Sequence, residues 1–134
     1  MNKLEGRIVN VESSPEMSIV EVDVERDIFS AIVLETPGSG SYLNLGSTIT
    51  LLFKETEVSI GKNLSGLISM RNRFGGRIKK IEKSAILTTV MLDYKGLEIV
   101  SIISTQSANR LELKEMDDVQ WLVKTNEVSL WHTI

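Results

Sequence analysis

The segment GRIVNVE, Gly6–Glu12, returns seventy residues later as GRIKKIE, Gly76–Glu82. At the same offset, and without a gap, FKETEVSI (Phe53–Ile60) falls on VKTNEVSL (Val123–Leu130). Of the 64 overlapping positions, 15 are identical. A fixed internal period that runs through the whole chain indicates a tandem duplication. The sequence therefore predicts two copies of one small fold, with domain boundaries at residues 1–61 and 62–134.

Each copy is predicted to be rich in β-strands. Apolar and polar residues alternate in SIVEVDV (Ser18–Val24) and TITLLF (Thr48–Phe53), as in half-buried strands. DYKG (Asp93–Gly96) is predicted to be a tight hairpin turn. One short helix is expected per copy: SANRLEL (Ser107–Leu113), capped by Ser107, and less clearly PGSGSYLNL in copy one, where proline and glycine oppose a helix. The fold class is all-β: two tandem OB-like five-stranded barrels, each with one short helix.

Composition excludes several functional classes. The chain has 134 residues, no cysteine and a single histidine, His132. Disulfides, thiolate metal sites and Ser-His-Asp catalysis within one chain are therefore not expected. No apolar run approaches the ~18 residues of a membrane span, and no signal peptide is visible, so we expect a cytoplasmic protein. No paired carboxylates or activated nucleophile stand out, and we expect a protein that is not an enzyme.

Charge is unevenly distributed along the chain. Residues 1–60 carry four Lys and Arg against ten Asp and Glu, whereas residues 61–134 carry eleven against eight. The basic excess is concentrated in SMRNRFGGRIKK, Ser69–Lys80. Such a strip could bind nucleic acid, form an anion pocket, or coat an ordinary solvated strand.

Three segments of copy two are rich in hydrogen-bond donors: SMRN (Ser69–Asn72), STQSA (Ser104–Ala108) and VKTNEV (Val123–Val128). A helix that starts at Ser107 would also direct the backbone N–H groups of Ser107 and Ala108 outward, and helix N-termini attract anions. Donors, cations and a helix start, with no carboxylate before Glu127, suit a small oxyanion. Taken singly, each residue could equally shape a turn, cap a helix or lie in solvent.

The same segments resemble the Mop domain, which is also classed in the TOBE group. SMRNRFGGRIKKIEKSAI is similar to the S-A-R-N-x-x-x-G-x-V opening of that family, and IVSIISTQSANRLEL with VKTNEVSL is similar to its later signatures. Two Mop copies in tandem form the di-Mop arrangement of molbindins and of the ligand-sensing half of the molybdate-responsive transcription regulator. The resemblance implies a protein that binds molybdate or tungstate, for storage, buffering or sensing, without a further cofactor.

The resemblance also implies a set of binding residues and partners. It gives a ligand role to Ser69 and Arg71, to Thr105, Ser107 and Ala108, and to Lys124 and Thr125, with Asn72 as a further donor of the opening segment. It implies a homo-oligomer, a dimer or trimer, with sites at interfaces between barrels, and a possible link to a molybdate transporter ATPase. Met70, Met116 and the KTN of residues 124–126 depart from the family pattern.

Copy one departs further from the pattern. Glu35 aligns with Thr105, and Pro37-Gly38 align with Ser107-Ala108. A carboxylate repels a dianion, and proline has no amide proton. We therefore expect copy one to serve mainly as scaffold, with Lys54 alone retained opposite Lys124.

Two alternatives remain open at the level of sequence. One is an OB-type module that binds nucleic acid, which the basic strip favours and the small number of aromatic residues opposes. The other is a structural or regulatory adaptor that keeps the fold and binds no ligand. We expect neither nucleic-acid binding nor membrane insertion.

Overall fold

The alternation of apolar and polar residues produces strands that bury one face. Val20, Val22 and Val24 of one strand point into the core, while the residues between them face outward. The computed structural model describes residues 1–38, 40 and 42–132. Within these residues it contains ten strands in two five-stranded sheets. The predicted all-β fold with two five-stranded sheets is confirmed.

The first sheet has the strand order β10-β4-β1-β2-β3. Its antiparallel ladder places Arg7 of β1 opposite Asp23 of β2, and Asp23 opposite Ile28 of β3. A register shift between Ile8 and Asn10 interrupts the ladder of the first pair. The strands are β1 (Asn2–Ser13), β2 (Ser18–Val24), β3 (Asp27–Val33), β4 (Thr48–Phe53) and β10 (Ser129–Trp131).

The second sheet repeats this arrangement in the order β5-β9-β6-β7-β8. Arg77 of β6 lies opposite Asp93 of β7, and the register shift recurs between Ile78 and Lys80. The repeat of the sequence is thus also a repeat of the strand pairing. The strands are β5 (Ser59–Gly61), β6 (Asn72–Lys83), β7 (Leu87–Tyr94), β8 (Leu97–Ser104) and β9 (Asp118–Val123).

The last strand of each repeat pairs in the sheet of the other repeat. β5 pairs with β9, and β10 pairs with β4. The first compact unit consists of Met1, Lys3–Phe53 and the segment from Lys124 on, whereas the second consists of Asn2 and Lys54–Val123. The boundary at residue 61 that the repeat suggests therefore does not coincide with the boundary of the compact units. The physical reason is that each short final strand completes the opposite sheet.

Equivalent two-residue turns join the hairpins of both repeats. Glu25 and Arg26 both have positive φ, and so do Lys95 and Gly96. The carboxylate of Asp93 accepts a hydrogen bond from the Gly96 amide at 3.0 Å, which matches a turn that needs left-handed backbone. The hairpin turn predicted at residues 93–96 is confirmed.

The helix begins earlier than predicted and occurs in one repeat. α1 spans Thr105–Arg110, and its N-cap is Ser104 rather than Ser107. In the first repeat, the described residues between β3 and β4 form no α-helix. Pro37 and the neighbouring glycines have low helix propensity, and the described residues of this loop contribute one bond of helical spacing, from the Gly40 amide to the Thr36 carbonyl. The expectation of one helix per copy is therefore wrong for the first copy.

Aromatic residues of the second unit cluster in its core. The ring of Trp121 lies 5.2 Å from that of Tyr94 and 5.4 Å from that of Phe74, measured between centroids. Tyr94 and Trp121 are fully buried, so they are not available as a surface for stacking bases. Among the described residues, no helix is both long and apolar enough to cross a lipid bilayer.

Met116 occupies a turn position that favours glycine. Its φ is +75°, and its counterpart in the first repeat is Gly46 with φ of +86°. Left-handed backbone costs a residue with a Cβ about 1–2 kcal/mol, and the Met116 side chain is exposed. We expect Met116→Gly to raise the free energy of unfolding by about 1 kcal/mol, after allowance for the larger unfolded-state entropy of glycine. Denaturant unfolding measures the change. Met116→Ala keeps the Cβ and should bring no such gain; equal stability of the two variants would contradict the argument.

Candidate functional site

The opening donor segment lies where the chain enters β6. Ser69 and Arg71 are exposed in the connection that precedes this strand. Asn72 is the first residue of β6 and lies opposite Val123, the last residue of β9. Because β6 and β9 are antiparallel, the chain enters one strand and leaves the other at the same end of their ladder. Ser69 and Arg71 are thus accessible to a ligand at that end.

Asn72 differs from its two neighbours because its side chain is completely buried, with 0% exposure. Its repeat counterpart Asn2 is also buried and has a structural function. The Asn2 side-chain amide donates to the Val100 carbonyl at 2.8 Å, and its oxygen accepts from the Val100 amide at 2.9 Å. This pair of bonds satisfies the backbone of edge strand β8, as a neighbouring strand would. The burial of Asn72 leaves no side-chain surface for an anion, contrary to the sequence expectation.

The start of α1 is organised by Ser104, which sequence reasoning did not include in the site. Its hydroxyl accepts a bond from the Ser107 amide at 3.0 Å and donates to the Ser107 hydroxyl oxygen at 2.9 Å. Ser107 is half-buried, and because its oxygen accepts from Ser104, its own hydroxyl proton is left for another acceptor. The signal that could have identified Ser104 is a serine at the end of a strand and three residues before the next serine, the spacing of an N-cap.

Thr105 and Ala108 contribute less than the sequence suggests. The Thr105 hydroxyl donates to the Ser84 carbonyl at 2.7 Å and lies 2.8 Å from the Thr88 hydroxyl, while its amide donates to the Ile86 carbonyl. Its donors are therefore already engaged within the protein. Ala108 is fully buried and is the fourth residue of α1, where the amide belongs to the helical ladder.

Lys124 and Thr125 follow β9 directly. Lys124 is exposed and precedes the 3-10 turn Thr125–Glu127, whose last amide donates to the Lys124 carbonyl at 3.0 Å. From Lys124 onward the chain belongs to the first compact unit. Conversely, Lys54, the aligned residue of the first repeat, is the point at which the chain enters the second unit.

Within the second unit, the predicted donors form two groups at opposite ends of β6. Ser69 and Arg71 precede the first residue of this strand, which is 12 residues long. The helix lies beside its other end, where the Lys83 ammonium donates to the Asn109 side chain at 2.7 Å. The second unit therefore does not bring all the predicted donors together by itself.

The first repeat presents a carboxylate where the second presents the helix. The Tyr42 hydroxyl donates a short hydrogen bond to Glu35, which aligns with Thr105. Burial, the hydrogen bond to Glu35 and the negative charge of Glu35 together raise the pKa of Tyr42, so that its hydroxyl remains a donor. The His132 ring stacks on Tyr42 at a centroid distance of 4.1 Å. The region that corresponds to the helix start therefore carries a carboxylate and two rings.

Three cations of the basic strip that follows Arg71 form ion pairs. Arg77 pairs with Asp118 at 3.0 Å, Lys79 with Glu98 at 3.5 Å, and Lys80 with Glu82 at 3.0 Å. Paired charges on one strand attract phosphate groups much less than free ones. Across the described part of the chain, no group of three or more His, Asp or Glu side chains could hold a metal ion.

Comparison with known proteins agrees with this architecture. Residues 68–130 match the TOBE domain family. The resemblance found in the sequence is confirmed by this match and by the similarity of the whole chain to a molybdate-binding protein of known structure. Over 96% of its length and 94% of the other chain, it is similar to the cytoplasmic molybdate-binding protein ModG, crystallised with molybdate bound, with 25% identity and a TM-score of 0.87.

A second solved structure is similar to part of the chain. It is a molybdate-binding protein from Sporomusa ovata, 34% identical, which matches 50% of this chain and 100% of its own length with a TM-score of 0.49. No curated protein matches the chain.

Proposed function

We propose that the chain is a cytoplasmic binding protein for molybdate or tungstate, with a role in storage, buffering or sensing rather than catalysis. The observation that supports this proposal most strongly is the whole-length similarity to ModG. Exposed Ser69 and Arg71, with the hydroxyl proton of Ser107, are donors of the kind that a fully deprotonated dianion requires. Hydrogen phosphate would carry its own O–H into a set of donors, and such an unpaired group costs about 1–3 kcal/mol.

We propose in addition that a homo-oligomer, a dimer or trimer, completes the site at an interface between barrels of different copies. The separation of the two donor groups along β6 supports this arrangement. The donors before β6 of one copy can meet the donors at the start of α1 of another copy. In this proposal, Lys124 and Thr125 bind the same anion as Ser69, Arg71 and Ser107. A molybdate transporter ATPase is a candidate partner on the strength of the family resemblance.

Isothermal titration with molybdate, tungstate, sulfate and phosphate tests the proposed function. We expect heat of binding with the first two anions in the micromolar range and little with phosphate. Absence of heat with both molybdate and tungstate would contradict the proposal and favour an adaptor without ligand. Binding of single-stranded DNA with a steep dependence on salt would instead favour the nucleic-acid alternative.

The stoichiometry of the same titration should not exceed one anion per chain. Glu35 and Tyr42 occupy the first-repeat counterpart of the helix start, and the charge of Glu35 repels a dianion. Two anions per chain would show that the first repeat retains a site of its own. Equilibrium dialysis with molybdate provides an independent count.

A further inference from the structure

The connection between β5 and β6, residues 62–71, carries two of the proposed anion donors, Ser69 and Arg71. The strands β5 and β6 lie on either side of β9, and both are antiparallel to it, so they are parallel to each other. A connection between two parallel strands has to return along their length before the second strand can begin. The position of the two donors therefore depends on how this connection is held on the second unit.

Arg73, the second residue of β6, holds the middle of the connection. Its Nη1 group donates to the Gly66 carbonyl at 3.1 Å, and its Nε group donates to the side-chain oxygen of Gln120 at 3.0 Å. On β9, Gln120 lies two residues from Leu122, the residue opposite Arg73, so the two bonded side chains are diagonal neighbours on one face of the sheet. The guanidinium thus ties the connection to β9.

The two ends of the connection are fixed independently of Arg73. At its start, the Lys62 ammonium donates to the Glu112 carbonyl at 2.9 Å and pairs with the Asp117 carboxylate at 3.0 Å. At its end, the chain enters β6 with the buried residue Asn72. Nine residues, 63–71, lie between these two points, and the bond to the Gly66 carbonyl shortens the segment that carries the donors to five, residues 67–71.

We propose that Arg73 is a positioning residue for oxyanion binding, which fixes residues 67–71 and thereby the donors of Ser69 and Arg71. A segment that is already fixed does not have to be ordered when the anion binds, so the affinity is higher than for a mobile segment. The ordering cost grows with length, by about threefold in the binding constant for each doubling of a flexible segment. This role rests on the proposed function, since it concerns the same anion.

The geometry of the guanidinium, and not its charge alone, gives Arg73 this role. The Nε and Nη1 groups leave a rigid plane in fixed directions, so one side chain can reach acceptors on two different segments. Lysine carries the same charge on a flexible stem and cannot reproduce both bonds. The first repeat has Lys3 at the equivalent position of β1, where it is exposed.

Isothermal titration with molybdate compares the wild type with Arg73→Lys and Arg73→Met. We expect both variants to bind molybdate about three- to tenfold more weakly, because both release the connection. The matched control, Lys3→Met, removes a positive charge from the equivalent position of the first unit and should change the affinity by less than about twofold. Wild-type affinity in Arg73→Lys would overturn the proposal, because charge would then be sufficient.

A double-mutant cycle separates positioning from a general effect on the fold. In the Arg71→Ala background, one of the two positioned donors is missing, so Arg73→Met should reduce the affinity by a smaller factor than it does in the wild type. Equal factors in the two backgrounds would show that Arg73 does not act through Arg71 and would contradict the proposal.

Hydrogen exchange without ligand keeps the test separate from the proposed function. The amides of residues 67–71 should exchange faster in Arg73→Met than in the wild type, while those of β7 keep their protection. Unchanged exchange in this segment would overturn the proposal. If the wild type gives no heat with molybdate or tungstate and the segment still exchanges faster in the variant, the proposed function is refuted and the anchoring by Arg73 stands.

Discussion

Gly6→Ala should destabilise the first unit by about 3 kcal/mol, at the upper end of what an inserted methyl group costs in a packed region. A Cβ at Gly6 would lie 2.4 Å from the Asp23 carbonyl oxygen and 2.8 Å from the side chains of Val22 and Val24. The carbonyl belongs to the backbone of β2 and cannot rotate away. The two strands would have to separate, and the adjacent ladder of β1 and β2 would be lost with them.

The repeat supplies the control for this prediction. At Gly76, the equivalent Cβ would lie 3.3 Å from the Asp93 carbonyl and 3.3 Å from the Trp121 ring. Small shifts relieve such contacts, so Gly76→Ala should cost about 1 kcal/mol, the lower end of the same range. Denaturant unfolding followed by tryptophan fluorescence reports on each unit when the other tryptophan is replaced by Phe, since Trp131 lies in β10 of the first and Trp121 in β9 of the second. Equal costs at the two glycines would contradict the geometry.

Arg71→Ala should weaken molybdate binding by about 10- to 100-fold, because a hydrogen bond to a charged group contributes about 1.5–3 kcal/mol. Arg71 is exposed next to Ser69, and its guanidinium can give two parallel bonds to neighbouring oxygens of an oxyanion. Isothermal titration at fixed ionic strength measures the loss.

Arg77→Ala is the matched control for Arg71→Ala. Arg77 has the same charge and belongs to the same segment, and its guanidinium donates to both carboxylate oxygens of Asp118. We expect its removal to change the affinity by less than about twofold, because an exposed cation that is paired with a carboxylate and screened by salt adds little attraction for an anion bound elsewhere. If both variants lose affinity equally, then general positive charge, and not a defined contact of Arg71, attracts the anion.

Much of the fold could be predicted from the sequence because its signals are local or periodic. The offset between Gly6 and Gly76 revealed the repeat, alternation in Ser18–Val24 revealed strands, and Asp93 with Gly96 marked a turn. Pro37 correctly weakened the expectation of a helix in the first repeat. For the site, the exposed positions of Ser69, Arg71 and Lys124 agree with a binding role, but that role remains a prediction.

Other features depend on tertiary contacts that a sequence pattern does not encode. Ser104 and Ser107 are both good N-cap residues, and the end of β8 selects the first of them. In the sequence, Asn72 does not differ from the neighbouring donors, and its burial becomes apparent only in the folded structure. The exchange of the final strands between the sheets has no signal in the sequence, because the local pattern of a short segment such as Ser129–Trp131 does not specify which of two homologous edges it joins.

The exchange of final strands has a consequence for how the two repeats depend on each other. Two separate single-repeat chains could exchange β5 and β10 only after they associate in solution, and dilution would dissociate them. A covalent linker makes the same event intramolecular and therefore independent of protein concentration. The first unit then takes its last strand from the far end of the chain, and the second takes the strand that directly precedes its own repeat. A protease that nicks the linker near residue 63 would thus leave two fragments that still hold each other in the native state.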